Sequence, residues 1–268
     1  MKNSIIYILI VLILSINSYL KAHIIADEDT PLHNNVTDRM REFSHEGIDY
    51  NVFYTTDPSS AHRVTVSDVD NIQNYIIESY DGLVDGIGFR IPWQSILPNY
   101  DFVVKNSSAA GWYAMHSHII LKAESALDRD EQEVGVITLH EIFHNVQRNY
   151  MSSVTSSADT TKSIGGTWGK LVSEGTADAI MDKAVGDFDN EGGNPFYDGS
   201  AENFLSSPEK SLFSKSYNGC LWWNYLMEQL GTNKAFEPYY GSEFMRAFWD
   251  QIVADASTSS ANAKATME

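Results

Sequence analysis

The order of the periodic segments predicts an α+β fold. Short runs of strand type occupy the first half of the chain, and 3.6-residue apolar spacing fills the second half. Strands first and helices after is the pattern of that class. Taken in order, residues 23–47 are polar with few periodic apolar positions, and they read as a loose N-terminal arm or a pro-like segment. Tyr50 to Tyr54 alternates as a first strand. Ser67 or Asp68 is placed to cap a helix whose apolar positions are Val69, Ile72, Ile76 and Tyr80, closed by Gly86 and Gly88. Asp101 to Lys105, Trp112 to Met115 and Ser117 to Lys122 read as three further strands. Asp130 to Tyr150 is one long helix, with Val136, Leu139, Phe143 and Val146 for the core face. A Ser-, Thr- and Gly-rich loop spans 151–166. Helices follow over Trp168 to Val185, Phe213 to Leu230 (stopped by Gly231) and Ser242 to Val253. The expected organisation is one domain over 48–253 and a flexible tail over 254–268.

Composition narrows the function classes. At roughly 150 residues per domain, 268 residues make one or two domains and can bury a substantial core. The 36 acidic residues outnumber the 18 basic ones, for a formal charge of −18. Such a chain repels phosphate backbones and anionic lipid surfaces, so nucleic-acid partners are excluded from the expected set. With Cys220 the only cysteine, no internal disulfide can form. Lys2, the apolar run Ile5 to Ile16 and the polar Asn17-Ser18 read as a secretory signal peptide over 1–22, cut near Ser18 or Ala22. The alternative is a retained N-terminal anchor. The sequons at Asn35 and Asn106 agree weakly with export. The expected location is extracellular, with no stable membrane insertion.

The chemistry is concentrated in His140-Glu141-Ile142-Phe143-His144. Two histidines four apart lie about 40° from each other on one helix face and can share a metal ion. Glu141 beside them can reach a water on that metal without ligating it, the arrangement in which zinc acidifies water and a glutamate takes its proton. A catalytic zinc needs a third protein ligand. No histidine follows His144, so a carboxylate, a water or an upstream residue must serve. Glu174 is the best candidate. It lies in a second helical stretch beyond a loop long enough to bring the chain back, and Gly175, Thr176 and Ala177 are small enough for close helix approach. Asp178, one turn on, can accept a hydrogen bond from the non-ligating nitrogen of a zinc histidine.

The pair HEIFHNVQ and SEGTAD resembles the gluzincin group of zinc metallopeptidases, the thermolysin-like superfamily. The likeness is strong over 137–180 and softer from Tyr50 to Gly231. It implies a small mixed sheet packed on the active-site helix, a mainly helical C-terminal half, and an edge strand beside the cleft. It implies one Zn2+ on His140, His144 and Glu174, Glu141 as general base, and Asp178 behind the ligands. A peptide substrate is expected to lie along His118 to Lys122. The chain departs from thermolysin in a longer spacing between His144 and Glu174 and a shorter C-terminal half. The histidine that steadies the oxyanion there has no counterpart; Tyr217, Tyr113 and His118 are the candidates to replace it.

Other features are set aside. Asp187 to Gly192 with Asp198 has calcium-loop spacing, but the flanks are not a convincing helix pair, so Ca2+ is not the preferred reading. Trp222, Trp223 and Tyr225 are read as core or groove wall rather than a carbohydrate platform, and His116 and His118 as structural. Cys220 has no histidine near it in sequence to activate it. The sequence thus reads as a secreted zinc endopeptidase. A catalytically silent binding or adhesion module on the same scaffold is the alternative, and hydrolysis of a non-peptide bond is a third.

Overall fold

The computed structural model describes residues 37–92, 99–106, 111–113, 118–122, 131–152, 167–184, 202–212, 215–232 and 239–256. The signal segment, most of the 151–166 loop, the acidic 187–199 loop with its calcium-type spacing, and the end of the tail lie outside those residues. The fold is α+β: a five-stranded mixed sheet in the N-terminal half and a mainly helical C-terminal half.

The sheet begins earlier than the sequence suggests. Strand β1, Arg39–His45, lies inside the stretch read as a loose arm, and it pairs antiparallel with β2, Ile48–Tyr54. Its residues are largely exposed, so it has little apolar alternation to betray it; the ladder to β2 holds it in place. Glu46 and Gly47, both at positive φ, make the tight turn between the two. Helix α1, Val66–Tyr80, is capped by Thr65 rather than by Ser67 or Asp68. The Thr65 hydroxyl accepts from the Asp68 amide while the Asp68 carboxylate accepts from the Thr65 amide. A π-helical turn, Asp81–Gly86, ends the segment.

Strand β3, Asn99–Lys105, runs parallel to β2, and β5, His118–Lys122, runs parallel to β3. Strand β4, Gly111–Tyr113, pairs antiparallel with β5 and gives the order β1-β2-β3-β5-β4. This corrects one expectation. His118 to Lys122 is not an edge strand: β3 pairs along one side of it and β4 pairs with His118 to Ile120 on the other, so the edge on that side belongs to β4. The physical reason is the short excursion between β3 and β5, which folds β4 back onto the far side of β5.

Tyr50, Val52 and Tyr54 of β2, Tyr100, Phe102 and Val104 of β3, and Leu121 of β5 share one core with Val69, Ile72 and Ile76 of α1. Helix α2, Glu131–Ser152, adds Leu139, Phe143, Val146 and Tyr150 to that core and packs on α1, β4 and β5. Helix α3, Thr167–Ala184, packs on α2. Helix α4, Cys220–Leu230, starts later than the expected Phe213 and follows a 3-10 turn at Ser216–Gly219. Leu171 of α3 sits so close to Gly219 that an added Cβ would lie 2.2 Å from its Cδ1. Trp223 is buried in the core, whereas Trp222 and Tyr225 stack on each other at the exposed face of α4, outside the core. Helix α5, Ser242–Ala256, carries Trp249 to the Tyr150 ring and runs past the expected end at Val253. Among the described residues no helix is long and apolar enough to cross a membrane.

Candidate metal centre

Helix α2 presents two adjacent faces for two purposes. Leu139, Phe143, Val146 and Tyr150 are almost fully buried in the core, and Phe143 meets Phe89 edge to face. About 100° round the helix, His140, His144 and Gln147 face α3. Contacts between the two helices run in opposite senses: His140 meets Asp178, His144 meets Glu174, and Gln147 meets Ser173. The helices are therefore antiparallel. Thr176 and Ala177 of α3 are 0 % exposed, consistent with small residues setting the close approach.

The hydrogen bonds determine the tautomers. His140 Nδ1 lies 2.9 Å from Asp178 Oδ1, and an ionised carboxylate only accepts, so Nδ1 carries the proton. His144 Nδ1 lies 2.8 Å from Gln147 Oε1. The orientation of that amide is set on its other side, where Nε2 donates to the Ser173 carbonyl at 2.8 Å and to Thr176 Oγ1 at 2.9 Å. A carbonyl cannot donate, so the amide oxygen must face His144, and His144 Nδ1 is a donor too. In the neutral rings both Nε2 atoms are then the unprotonated ones and carry the lone pairs.

Those lone pairs face each other at 3.0 Å, and Glu174 Oε2 lies 3.4 Å from His140 Nε2 and 3.3 Å from His144 Nε2. Three electron-pair donors so placed repel unless a cation stands among them. Their spacing fits zinc, whose bonds of about 2.0–2.1 Å put adjacent tetrahedral ligands about 3.3 Å apart. His140, His144 and Glu174 could hold a metal ion, with one ligand atom from each all within 4.8 Å of one another.

The protonation equilibria carry the same signature. Burial alone pushes the His140 pKa down, but the hydrogen bonds to Asp178 and then Glu174, with the charge of Glu141, lift it to about 10. Burial likewise pushes Glu174 up, and its bonds to His140 and His144 outweigh this, holding its carboxyl well below the usual range. The site is built to hold positive charge, which a proton supplies where no metal does.

Each residue singled out in the sequence can now be placed. His140, His144, Glu174 and Asp178 come together. Glu141 is buried one residue along α2, near enough for its charge to raise the His140 pKa, and among the described residues nothing hydrogen-bonds to its carboxylate. The side chains of Tyr113, His118 and Tyr217, the three oxyanion candidates, lie outside what the structure describes, as does the Asp182 side chain. Gln147 is the residue whose role the sequence reading missed. Its signal was present: it stands three residues after His144, on the same helix face, inside the quoted HEIFHNVQ.

Residues 94–214 match the model of a family described as "Putative zinc dependent peptidase (DUF5700)". The matched stretch contains α2 and α3 with His140, Glu141, His144, Gln147, Glu174 and Asp178. No curated protein and no solved structure matches the chain. At the coarse level, the family match and the His140, His144, Glu174 cluster together support a zinc peptidase, a hydrolase of peptides or proteins.

Proposed function

We propose that the chain is a secreted zinc endopeptidase of the gluzincin type. One observation carries the reading: two imidazole lone pairs, fixed face to face by Asp178 and Gln147, converge with the Glu174 carboxylate beside the buried Glu141. His140, His144 and Glu174 are the residues that would hold zinc, which when bound polarises the scissile carbonyl and acidifies water to a pKa of about 7. Glu141 takes the proton of the attacking water and delivers it to the leaving amine. Asp178 and Gln147 keep both rings in the one tautomer that leaves Nε2 unprotonated. The edge of β4, Gly111–Tyr113, replaces β5 as the place for substrate, because of the two edge strands, β1 and β4, it is β4 that packs beside the metal-bearing helix α2 and has backbone groups to offer an extended peptide. Such pairing ignores side-chain identity, which suits cleavage within chains. Export rests on Lys2 and the apolar run Ile5 to Ile16.

Digestion of casein, with and without a zinc chelator and with zinc restored, tests the activity. Loss with the chelator and recovery with zinc are expected; full digestion in the chelator would remove the metal from the reaction. Glu141→Gln should keep stoichiometric zinc and lose nearly all turnover, since an amide cannot accept a proton at neutral pH. Turnover at the parent rate would show that Glu141 is not the base. N-terminal sequencing of exported protein, expected to begin after Ser18 or Ala22, tests secretion.

A further inference from the structure

Asn145 follows the second histidine and stands one turn after Glu141 on α2. It is 0 % exposed, and among the described residues neither Oδ1 nor Nδ2 has a hydrogen-bond partner. Buried amides left bare are costly, and native folds relieve them with a protein group or an internal water. An apolar residue of the same size would fill this position without that cost, so a retained amide calls for a function. Residues four apart on a helix stand about 5–6 Å from each other at Cβ, a gap that one water can bridge between two side chains. Glu141 is the residue four before Asn145, and it is itself buried with no hydrogen bond to its carboxylate among the described residues.

We propose that Asn145 is a positioning residue: an internal water accepts from its Nδ2 and donates to the Glu141 carboxylate, holding that carboxylate in its working orientation. The inference deepens the peptidase reading and rests on Glu141 acting as the base in it. It differs from a packing role in what its removal does. Asn145→Leu keeps the branching and the heavy-atom count and removes two polar atoms that lack partners among the described residues; that gain offsets the cost of the larger methyl groups, so thermal stability should stay near the parent's. Zinc content and KM should also stay level, while kcat falls about tenfold, the lower end of the effect of removing an outer partner.

Two measurements decide the matter. The first is kcat and KM for Asn145→Leu, alongside its melting temperature and zinc content by mass spectrometry. Parental kcat in a folded, zinc-loaded variant overturns the proposal. The second is a high-resolution crystal structure of the zinc-loaded parent, which needs no variant to fold. A water within hydrogen-bonding distance of both the Asn145 amide and the Glu141 carboxylate is expected; a dry Asn145 overturns the proposal. Parental turnover in Glu141→Gln would sink the base assignment while leaving that water in place, so the two failures are distinguishable.

Discussion

Replacing Gln147 by leucine separates the orientation of the metal site from its ligands. The parent amide makes three hydrogen bonds: it accepts from His144 Nδ1 and donates to the Ser173 carbonyl and to Thr176 Oγ1. Leucine keeps the volume and removes all three. Thr176 retains a partner, because its hydroxyl also donates to the Val172 carbonyl at 2.5 Å. His144 Nδ1 loses its acceptor in a position of low exposure. At about 1 kcal/mol net per bond, the loss is roughly 2–3 kcal/mol. For a domain of this size each kcal/mol lowers the melting temperature by about 2–4 °C, so a fall of roughly 4–12 °C is expected. Freed of its anchor, the His144 ring can turn or change tautomer, and zinc affinity should drop about 10–100-fold. The assay is competition with a chromophoric chelator, run well below the melting transition so that only folded protein is titrated. Gln147→Glu provides the control. It keeps an acceptor for His144 but turns an oxygen toward the Ser173 carbonyl, so it should lose stability and keep most of its zinc affinity. Parental zinc affinity in folded Gln147→Leu would refute the ring-orienting role.

Three further outcomes are expected. Glu174→Ala should weaken zinc binding severely while Asp182→Ala leaves it intact; full zinc occupancy in the first and loss in the second, read by mass spectrometry, would overturn the gluzincin assignment. Asp178→Asn keeps an acceptor for His140 Nδ1 but not the charge, and should cost about 10–100-fold in zinc affinity or activity; an unchanged affinity and rate would leave Asp178 without a role at the metal. The core should fail in alkali. Burial, with the charges of Tyr80 and Asp81, raises the Tyr50 pKa above 10.0, and burial, with Tyr50 and Tyr80, raises that of Tyr100. The neutral phenols are thus favoured in the folded state, their contribution is whole below a pH of about 10, and it is lost as pH climbs toward the raised values. Melting temperature against pH, with tyrosinate absorbance recorded through each transition, checks this; two rings ionising in the folded protein near pH 10 would contradict it.

What the sequence alone determined about this protein is local or chemically compulsory. The four-residue step between His140 and His144 needs only helix geometry to put both rings on one face. The periodicity of Val69, Ile72 and Ile76 likewise needs only a helix over a core, as α1 provides. Glu174 was legible by a different route, because a two-histidine zinc site demands one more donor and no later histidine exists. Contacts distant in sequence decided the rest. Strand β1 has an exposed, polar pattern and is a strand because β2 supplies its hydrogen-bond partners. The edge beyond β5 falls to β4 because strand order is a matter of pairing, which alternation along a single strand does not encode. Gln147 gained its role from the Ser173 carbonyl, 26 residues away, which turns its amide oxygen to His144. Spacing within one helix brings the two imidazoles together; only the packing of α3 against α2 decides which nitrogen of each ring is unprotonated and could bind a metal.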